Sequence, residues 1–128
     1  MASKVPAELK YSEEHEWLKV EGRQGRVGIS DHAQHALTDI VYVKLPAKGA
    51  KVKKGDVLGE VESIKSVSPI YSPVSGTVLE ANTALDKAPE VMNQDPYGKG
   101  WFAVLSLDDP AEAAQLMDAA HYKKHIGE

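Results

Sequence analysis

The sequence predicts a mainly β protein, a β-sandwich or barrel with one short helix inside it and helix at its end. Three observations indicate this fold: many short apolar runs, closely spaced Gly, Pro and Ser turn signals, and helical spacing after residue 108. The 128 residues are 42% hydrophobic and 27% charged, which is typical of one globular domain. We expect its core at about residues 10–107 and a helical segment at about 109–126.

The first half of the chain predicts a hairpin, a helix and a strand. Apolar alternation over residues 16–29, interrupted by a polar, Gly-containing turn at 21–25, predicts the hairpin. Ser30 is expected to cap a helix over residues 31–37, because its hydroxyl can accept from the N–H groups that a helix start leaves unpaired. The β-branched run over 40–45 then predicts a strand.

The second half predicts a further hairpin and a last strand. Two apolar-rich segments, residues 57–62 and 70–80, flank the Ser-rich stretch 63–68. Residues 101–107 are expected to form the last strand.

The chain end has helix signals of its own. Asp109, Pro110 and Glu112 provide an N-cap, a first-position proline and a third-position acid, which predict a helix through about Met117. A second short helical piece is expected from Asp118 onward.

Composition argues against several function classes. There is no cysteine, so zinc–thiolate sites, iron–sulfur clusters and thiol nucleophiles are excluded, and redox chemistry would need a cofactor. The formal charge of −4 and the scattered basic residues argue against nucleic-acid binding. No apolar run approaches the roughly 18 residues of a membrane span, and the first residues lack an apolar leader. We therefore expect a cytoplasmic protein, with a mature organellar form as the alternative.

Lys65 is placed differently from the other lysines. It lies between two apolar segments, at the tip of a predicted tight turn, where a modifying enzyme could reach its amine. An ordinary exposed turn lysine is the alternative that composition and spacing leave open.

Several sequence blocks occur in order along most of the chain. They are YSEEHEW at 11–17, VGISDHAQ at 27–34, LTDIVYV at 37–43, GEVESIKS at 59–66, YSPVSGTV at 71–78, NTAL at 82–85 and PEVMNQDPYGKGW at 89–101. Together these blocks resemble the H-protein family of the glycine cleavage system.

The resemblance implies a carrier rather than an enzyme, with lipoate joined by an amide bond to Lys65. It implies a flattened β-sandwich of the barrel-sandwich hybrid type, whose two halves are joined through the Lys65 hairpin. The implied partners include glycine decarboxylase (P protein), which loads an aminomethyl group, and the aminomethyltransferase (T protein), which removes it. Dihydrolipoamide dehydrogenase (L protein), which reoxidises the dithiol, and a lipoylating enzyme are the other implied partners. We expect a monomer, and the arm raises the effective concentration of its sulfur at each partner.

Four residues near Lys65 in sequence are expected to support this role. Glu62 is expected to help the modifying enzyme find its target, and Ser63 is small enough not to obstruct it. Ile64 beside the lysine favours lipoate over biotin, because biotinyl lysines usually lie between methionines. Gly76, in the strand after the turn, would allow a tight bend or a close strand approach.

Glu16 is the expected contact for the loaded arm. The resemblance places it beside the surface where that arm rests, so its carboxylate would accept from or neutralise the aminomethyl ammonium. A solvent-facing strand acid is the alternative. The chain departs from the family at Pro69, where members usually have an acid, so any arm contact by that acid is lost.

Other functions are weaker alternatives. The pairs His32/His35 and His121/His125 have chelating spacing, but each lacks a third ligand nearby in sequence. The other alternative functions are a biotin carrier, a lipoyl domain of a 2-oxoacid dehydrogenase, an H-like protein that relays lipoyl groups to other enzymes, and an unmodified interaction module.

Overall fold

Nine strands and four α-helices occur in residues 3–127, the part of the chain that the computed structural model describes. The strands are β1 Lys10–Tyr11, β2 Glu16–Glu21, β3 Gln24–Ile29, β4 Ile40–Lys44, β5 Lys51–Val52, β6 Val57–Ser63, β7 Val67–Tyr71, β8 Gly76–Ala81 and β9 Ala103–Leu107. The helices are α1 Asp31–Leu37, α2 Val91–Gln94, α3 Ala111–Ala114 and α4 Ala119–His125, with a 3-10 helix at Thr83–Asp86.

The strands form two antiparallel sheets. One has six strands in the order β1-β2-β3-β9-β8-β5, and the other has three in the order β4-β6-β7. Both sheets contribute to the main hydrophobic core, for example Val27 and Leu105 from the first sheet and Val61 and Ile70 from the second. The predicted mainly β sandwich is confirmed, and within residues 3–127 no sheet closes into a barrel.

One helix start follows the predicted capping chemistry, and a second is capped in the same way. The Ser30 hydroxyl accepts from the Ala33 N–H at 3.1 Å and so begins α1. The Asp118 carboxylate accepts from the His121 N–H at 2.9 Å and begins α4, which confirms the second helical piece. In the described residues no helix is long and apolar enough to span a membrane.

The C-terminal helix α4 is fixed by one aromatic side chain. The Tyr122 ring is buried and stacks on Tyr11, with ring centroids 4.5 Å apart. Its hydroxyl lies 2.7 Å from the Ser30 Oγ and 2.8 Å from the His15 Nδ1. The end of the chain is thereby attached to β1 and to the start of α1.

The predicted helix through Met117 is wrong in its start and in its length. Its N-cap is Pro110 rather than Asp109, although the Asp109 carboxylate accepts from the Ala111 N–H at 3.0 Å. α3 ends at Ala114, because the Met117 N–H and carbonyl both pair with Tyr11 at 2.9 Å. Its Glu112 carboxylate accepts from the Ser75 N–H and hydroxyl, which attaches α3 to the loop before β8.

Three strand predictions also need correction. The turn of the first hairpin is shorter than 21–25, because Glu21 pairs with Gln24 and Gly22 takes the positive φ of 62°. The segment 70–80 is divided between β7 and β8, which belong to different sheets. The Lys65 hairpin does not join the two halves, since β6 and β7 are adjacent antiparallel strands and a tight turn keeps them in one sheet.

Candidate functional site

The tip of the β6–β7 hairpin is built around the Ser63 side chain. Its Oγ accepts from the N–H groups of Lys65 and Ser66, each at 3.1 Å, while its own N–H donates to the Ser66 carbonyl at 2.8 Å. Ser63 is buried, whereas Lys65 is exposed. The turn is therefore closed from the inside, and the lysine side chain lies on the solvent side.

Apolar side chains surround the tip on its outer side. Ile64 is 70% exposed, and Tyr42 and Val67 are each 57% exposed. Tyr42 and Val67 flank the exposed Glu62 in register across the three strands of the smaller sheet. Large exposed apolar side chains grouped in this way are typical of a contact surface. We call Tyr42, Ile64 and Val67 the tip surface.

A groove of about 130 Å³ lies between α1 and the hairpin strands. Its walls are mostly apolar, and its lining side chains are Ala33, Ala36 and Leu37 of α1, Val61, Ser68, Pro69 and Ile70 of the hairpin, Ile29 of β3, and Glu14, His15 and Glu16. β6 runs from Val61 in the groove wall to Ser63, two residues before Lys65, so the groove lies along the strands that lead to the tip.

Glu16 borders this groove, and its carboxyl bonds to Ser12 and Tyr71, which line an adjoining larger cavity. The residue is only 2% exposed, so the solvent-facing alternative is wrong. Ser12 Oγ donates to its Oε1 at 2.5 Å, and the Tyr71 N–H donates to its Oε2 at 3.3 Å. Burial raises the pKa of Glu16 to about 7, although both hydrogen bonds oppose the rise. The carboxyl can therefore be neutral without a partner and ionised beside a cation. It also borders a larger cavity of about 370 Å³ on the side of Lys54.

The structure brings some of the predicted site residues together and separates others. Glu16 and Pro69 both line the groove. Pro69 lies in β7, an edge strand, where a residue without an N–H is tolerated. Gly76 lies outside the groove, at the start of β8, where a Cβ would collide with the Ser106 carbonyl of β9.

None of the four paired histidines lines the groove, and His35, His121 and His125 have polar partners. Asp31 lies 3.6 Å from His35, and Asp118 lies 2.7 Å from His121. His125 Nε2 instead lies 3.0 Å from the Glu13 carbonyl. Within residues 3–127 no three His, Asp or Glu side chains form a group able to hold a metal ion.

Sequence reasoning missed the α1 wall of the groove and the hydrogen bond from Ser12. The spacing of Ala33, Ala36 and Leu37 could have indicated the wall, because residues three and four apart share one helix face. For Ser12 there was no such signal, since its role depends on the turn that returns the chain to Glu16.

Comparison with known proteins decides the family. A family model described as glycine cleavage H-protein matches residues 9–128. The chain belongs to the glycine cleavage H-protein family. Members of this family are lipoyl carriers rather than enzymes, and their lipoate is attached covalently to a lysine.

Individual H proteins are similar over nearly the whole chain. The glycine cleavage system H protein of Symbiobacterium thermophilum is 54% identical over 92% of this chain and 92% of its own. That of Laribacter hongkongensis is 51% identical over 98% of this chain and 99% of its own. The crystal structure of the Mycobacterium marinum H protein superposes with a TM-score of 0.89 at 36% identity, covering 97% of this chain and all of that one.

The residues present fit a lipoyl group. The family requires an accessible lysine, and Lys65 is exposed on a turn closed by Ser63. An apolar arm that ends in a polar head also matches the chemistry of the groove, with its aliphatic walls and the buried Glu16 at its border.

Proposed function

We propose that Lys65 carries the lipoyl group and that the arm, when loaded, rests in the groove between α1 and the β6–β7 hairpin. The observation that carries this proposal is the combination of an exposed tip lysine with an apolar groove that is bordered by the buried Glu16. Bound lipoate supplies a reducible disulfide on a flexible arm, on which the aminomethyl group travels.

The groove residues give the arm a resting place in two ways. Ala33, Leu37 and Ile70 shield apolar methylene groups from water, which favours a docked arm over a solvated one. Glu16 provides the countercharge for an ammonium group, because a cation within hydrogen-bond distance favours the ionised carboxylate. Since Pro69 carries no charge, the polar contact depends on Glu16.

Three enzymes of glycine cleavage are the proposed partners of the arm: glycine decarboxylase, the aminomethyltransferase and dihydrolipoamide dehydrogenase. A lipoylating enzyme must also reach the Lys65 amine. Support for contact near the lysine comes from the exposed Tyr42, Ile64 and Val67 of the tip surface. The cytoplasmic location and the monomeric state stay predictions of the sequence.

Attachment is tested by incubating the purified protein with lipoate, ATP and a lipoate ligase. Intact mass and peptide mapping should show one lipoyl addition at Lys65. The addition should be lost in Lys65→Arg and kept in Lys48→Arg, which changes another exposed turn lysine. A folded parent protein that gains no mass, or gains it at another lysine, would contradict the proposal.

The shuttle and the lipoyl relay differ in a second measurement. Lipoylated protein is incubated with glycine decarboxylase and glycine, and both released CO₂ and intact mass are followed. The shuttle predicts CO₂ release together with one aminomethyl group on the arm. Another H protein, incubated with the same decarboxylase, is the positive control. If that control reacts and this protein shows neither CO₂ release nor added mass, the relay is favoured over the shuttle.

A further inference from the structure

One peptide unit connects the hairpin tip to the short helix α2. The Ile64 N–H at the tip donates to the Asp39 carbonyl at 3.0 Å. The next N–H in the chain, that of Ile40, donates to the Asn93 Oδ1 at 2.9 Å. The carbonyl of residue 39 and the N–H of residue 40 belong to the same planar peptide.

This geometry places Asn93 and the hairpin tip on opposite sides of that peptide. The carbonyl and N–H of a trans peptide point in opposite directions, so the Asn93 amide fixes one end of the plane while Ile64 is held by the other. Hydrogen bonds in such a chain polarise one another, and loss of one weakens the next.

The backbone beside this peptide has an unfavourable conformation and an irregular strand pairing, so neighbouring groups must hold it. Thr38 has φ 63° and ψ −146°, a backbone conformation that is unfavourable for a residue with a Cβ and persists only where neighbours impose it. The β4–β6 pairing is also irregular between Ile40 and Tyr42, so the regular ladder is interrupted at the point where the tip begins.

The amino group of the Asn93 side chain restrains this backbone. Its Nδ2 donates to the Thr38 carbonyl at 2.7 Å and to the Gln34 Oε1 at 3.1 Å. Both donors and the acceptor of this amide are therefore used on residues 34–40. Asn93 itself is fixed, because its neighbour Met92 is fully buried in the main core.

We propose that Asn93 is a positioning residue for lipoyl attachment, acting through peptide 39–40 on the Ile64 N–H and hence on the direction in which Lys65 leaves the hairpin. The inference rests on Lys65 being the attachment site. It gives a role to a residue of the 89–101 block, which lies outside both the hairpin and the groove.

The test measures the hydrogen exchange of individual backbone amides and the kinetics of lipoylation. In Asn93→Ala, exchange of the Ile64 amide should be about tenfold faster than in the parent, as expected when a supporting hydrogen bond is lost. The KM for lipoylation at Lys65 should rise about tenfold with little change in kcat, because attachment chemistry belongs to the ligase. Asn93→Asp keeps an acceptor for the Ile40 N–H but loses both donated hydrogen bonds and places a carboxylate oxygen against the Thr38 carbonyl. It should therefore show faster Ile64 exchange and a higher KM, as Asn93→Ala does.

Asn82→Ala is the matched control. Its amide also donates twice to backbone carbonyls, those of Lys99 at 2.9 Å and Trp101 at 2.7 Å, away from residues 34–40. Equal Ile64 exchange and equal KM in Asn93→Ala and Asn82→Ala would overturn the inference, as would parent-like values of both in Asn93→Asp. If Asn93→Ala does not fold, the Ile64 exchange rates of Asn93→Asp and Asn82→Ala are compared in its place.

The two proposals fail in different measurements. Amide exchange at Ile64 is measured on unmodified protein, so it tests the connection to Asn93 even if Lys65 is never lipoylated. A parent protein that gains no lipoyl mass would contradict the proposed function. If the parent protein is lipoylated and the Asn93 variants are lipoylated at the same rate as the parent, only the positioning role is contradicted.

Discussion

Replacing Glu16 by glutamine removes the charge of the groove carboxyl while keeping its size. In the folded protein burial raises the pKa of Glu16 from its usual 4.5 to about 7. A rise of that size corresponds to about 3 kcal/mol, at 1.36 kcal/mol for each pH unit. Because the folded pKa is the higher one, the stabilising contribution is complete below pH 4.5 and is lost as pH rises through 7.

The parent protein should therefore lose stability relative to Glu16→Gln as the pH rises. Urea unfolding of both proteins at pH 5 and pH 8 measures this difference. We expect Glu16→Gln to gain about 2 to 3 kcal/mol on the parent between those two pH values, since glutamine does not titrate. His15, whose pKa burial lowers, titrates in both proteins and cancels in the comparison.

The matched variant is Ser12→Ala. The Ser12 hydroxyl donates to the Glu16 carboxyl and opposes the rise of its pKa, so Ser12→Ala should raise that pKa further. The loss of stability should still begin near the unfolded pKa, but it should continue to higher pH and become larger than in the parent. A stability difference between Glu16→Gln and the parent that is equal at pH 5 and pH 8 would refute the reasoning. It would mean that the carboxyl is hydrated and ionised throughout, and that the groove does not exclude water from it.

Three further outcomes are expected. Tyr42→Ser should raise the KM for lipoylation about tenfold through loss of apolar contact, whereas Val20→Ser, at the exposed end of β2 in the other sheet, should not. Equal ligase kinetics in the two variants would count against the tip surface. Ser30→Ala should lower the free energy of unfolding by about 1 to 2 kcal/mol, because α1 loses its cap; an unchanged urea midpoint would contradict this. Gly76→Ala should lower it by more than about 2 kcal/mol, because the added methyl collides with the Ser106 carbonyl, and a thermal midpoint equal to that of the parent would disprove the close approach.

The sequence determined those features that depend on neighbouring residues. Ser30 and Asp118 cap helices because each side chain reaches an N–H only three residues away. The hairpin tip is equally local, since Ser63 contacts the two residues that follow Ile64. The order of the family blocks then indicated which of the exposed lysines is the expected attachment site.

Tertiary structure decided the features that depend on distant pairing. α3 stops at Ala114 because Met117 pairs with Tyr11 from the other end of the chain, and no helical signal in residues 109–117 records that partner. The Lys65 hairpin stays within one sheet because strand adjacency, rather than apolar content, decides which sheet a strand joins.

The candidate site shows the same division. From the sequence Glu16 could equally have been an exposed strand acid, because alternation does not say which face other elements cover. Its burial and its raised pKa arise only when α1 and the β6–β7 hairpin pack beside β2. The sequence by itself thus indicated the family and the lysine expected to carry the lipoyl group. The groove, the burial of Glu16 and the connection from Asn93 required contacts between residues far apart in the chain, which local patterns do not encode.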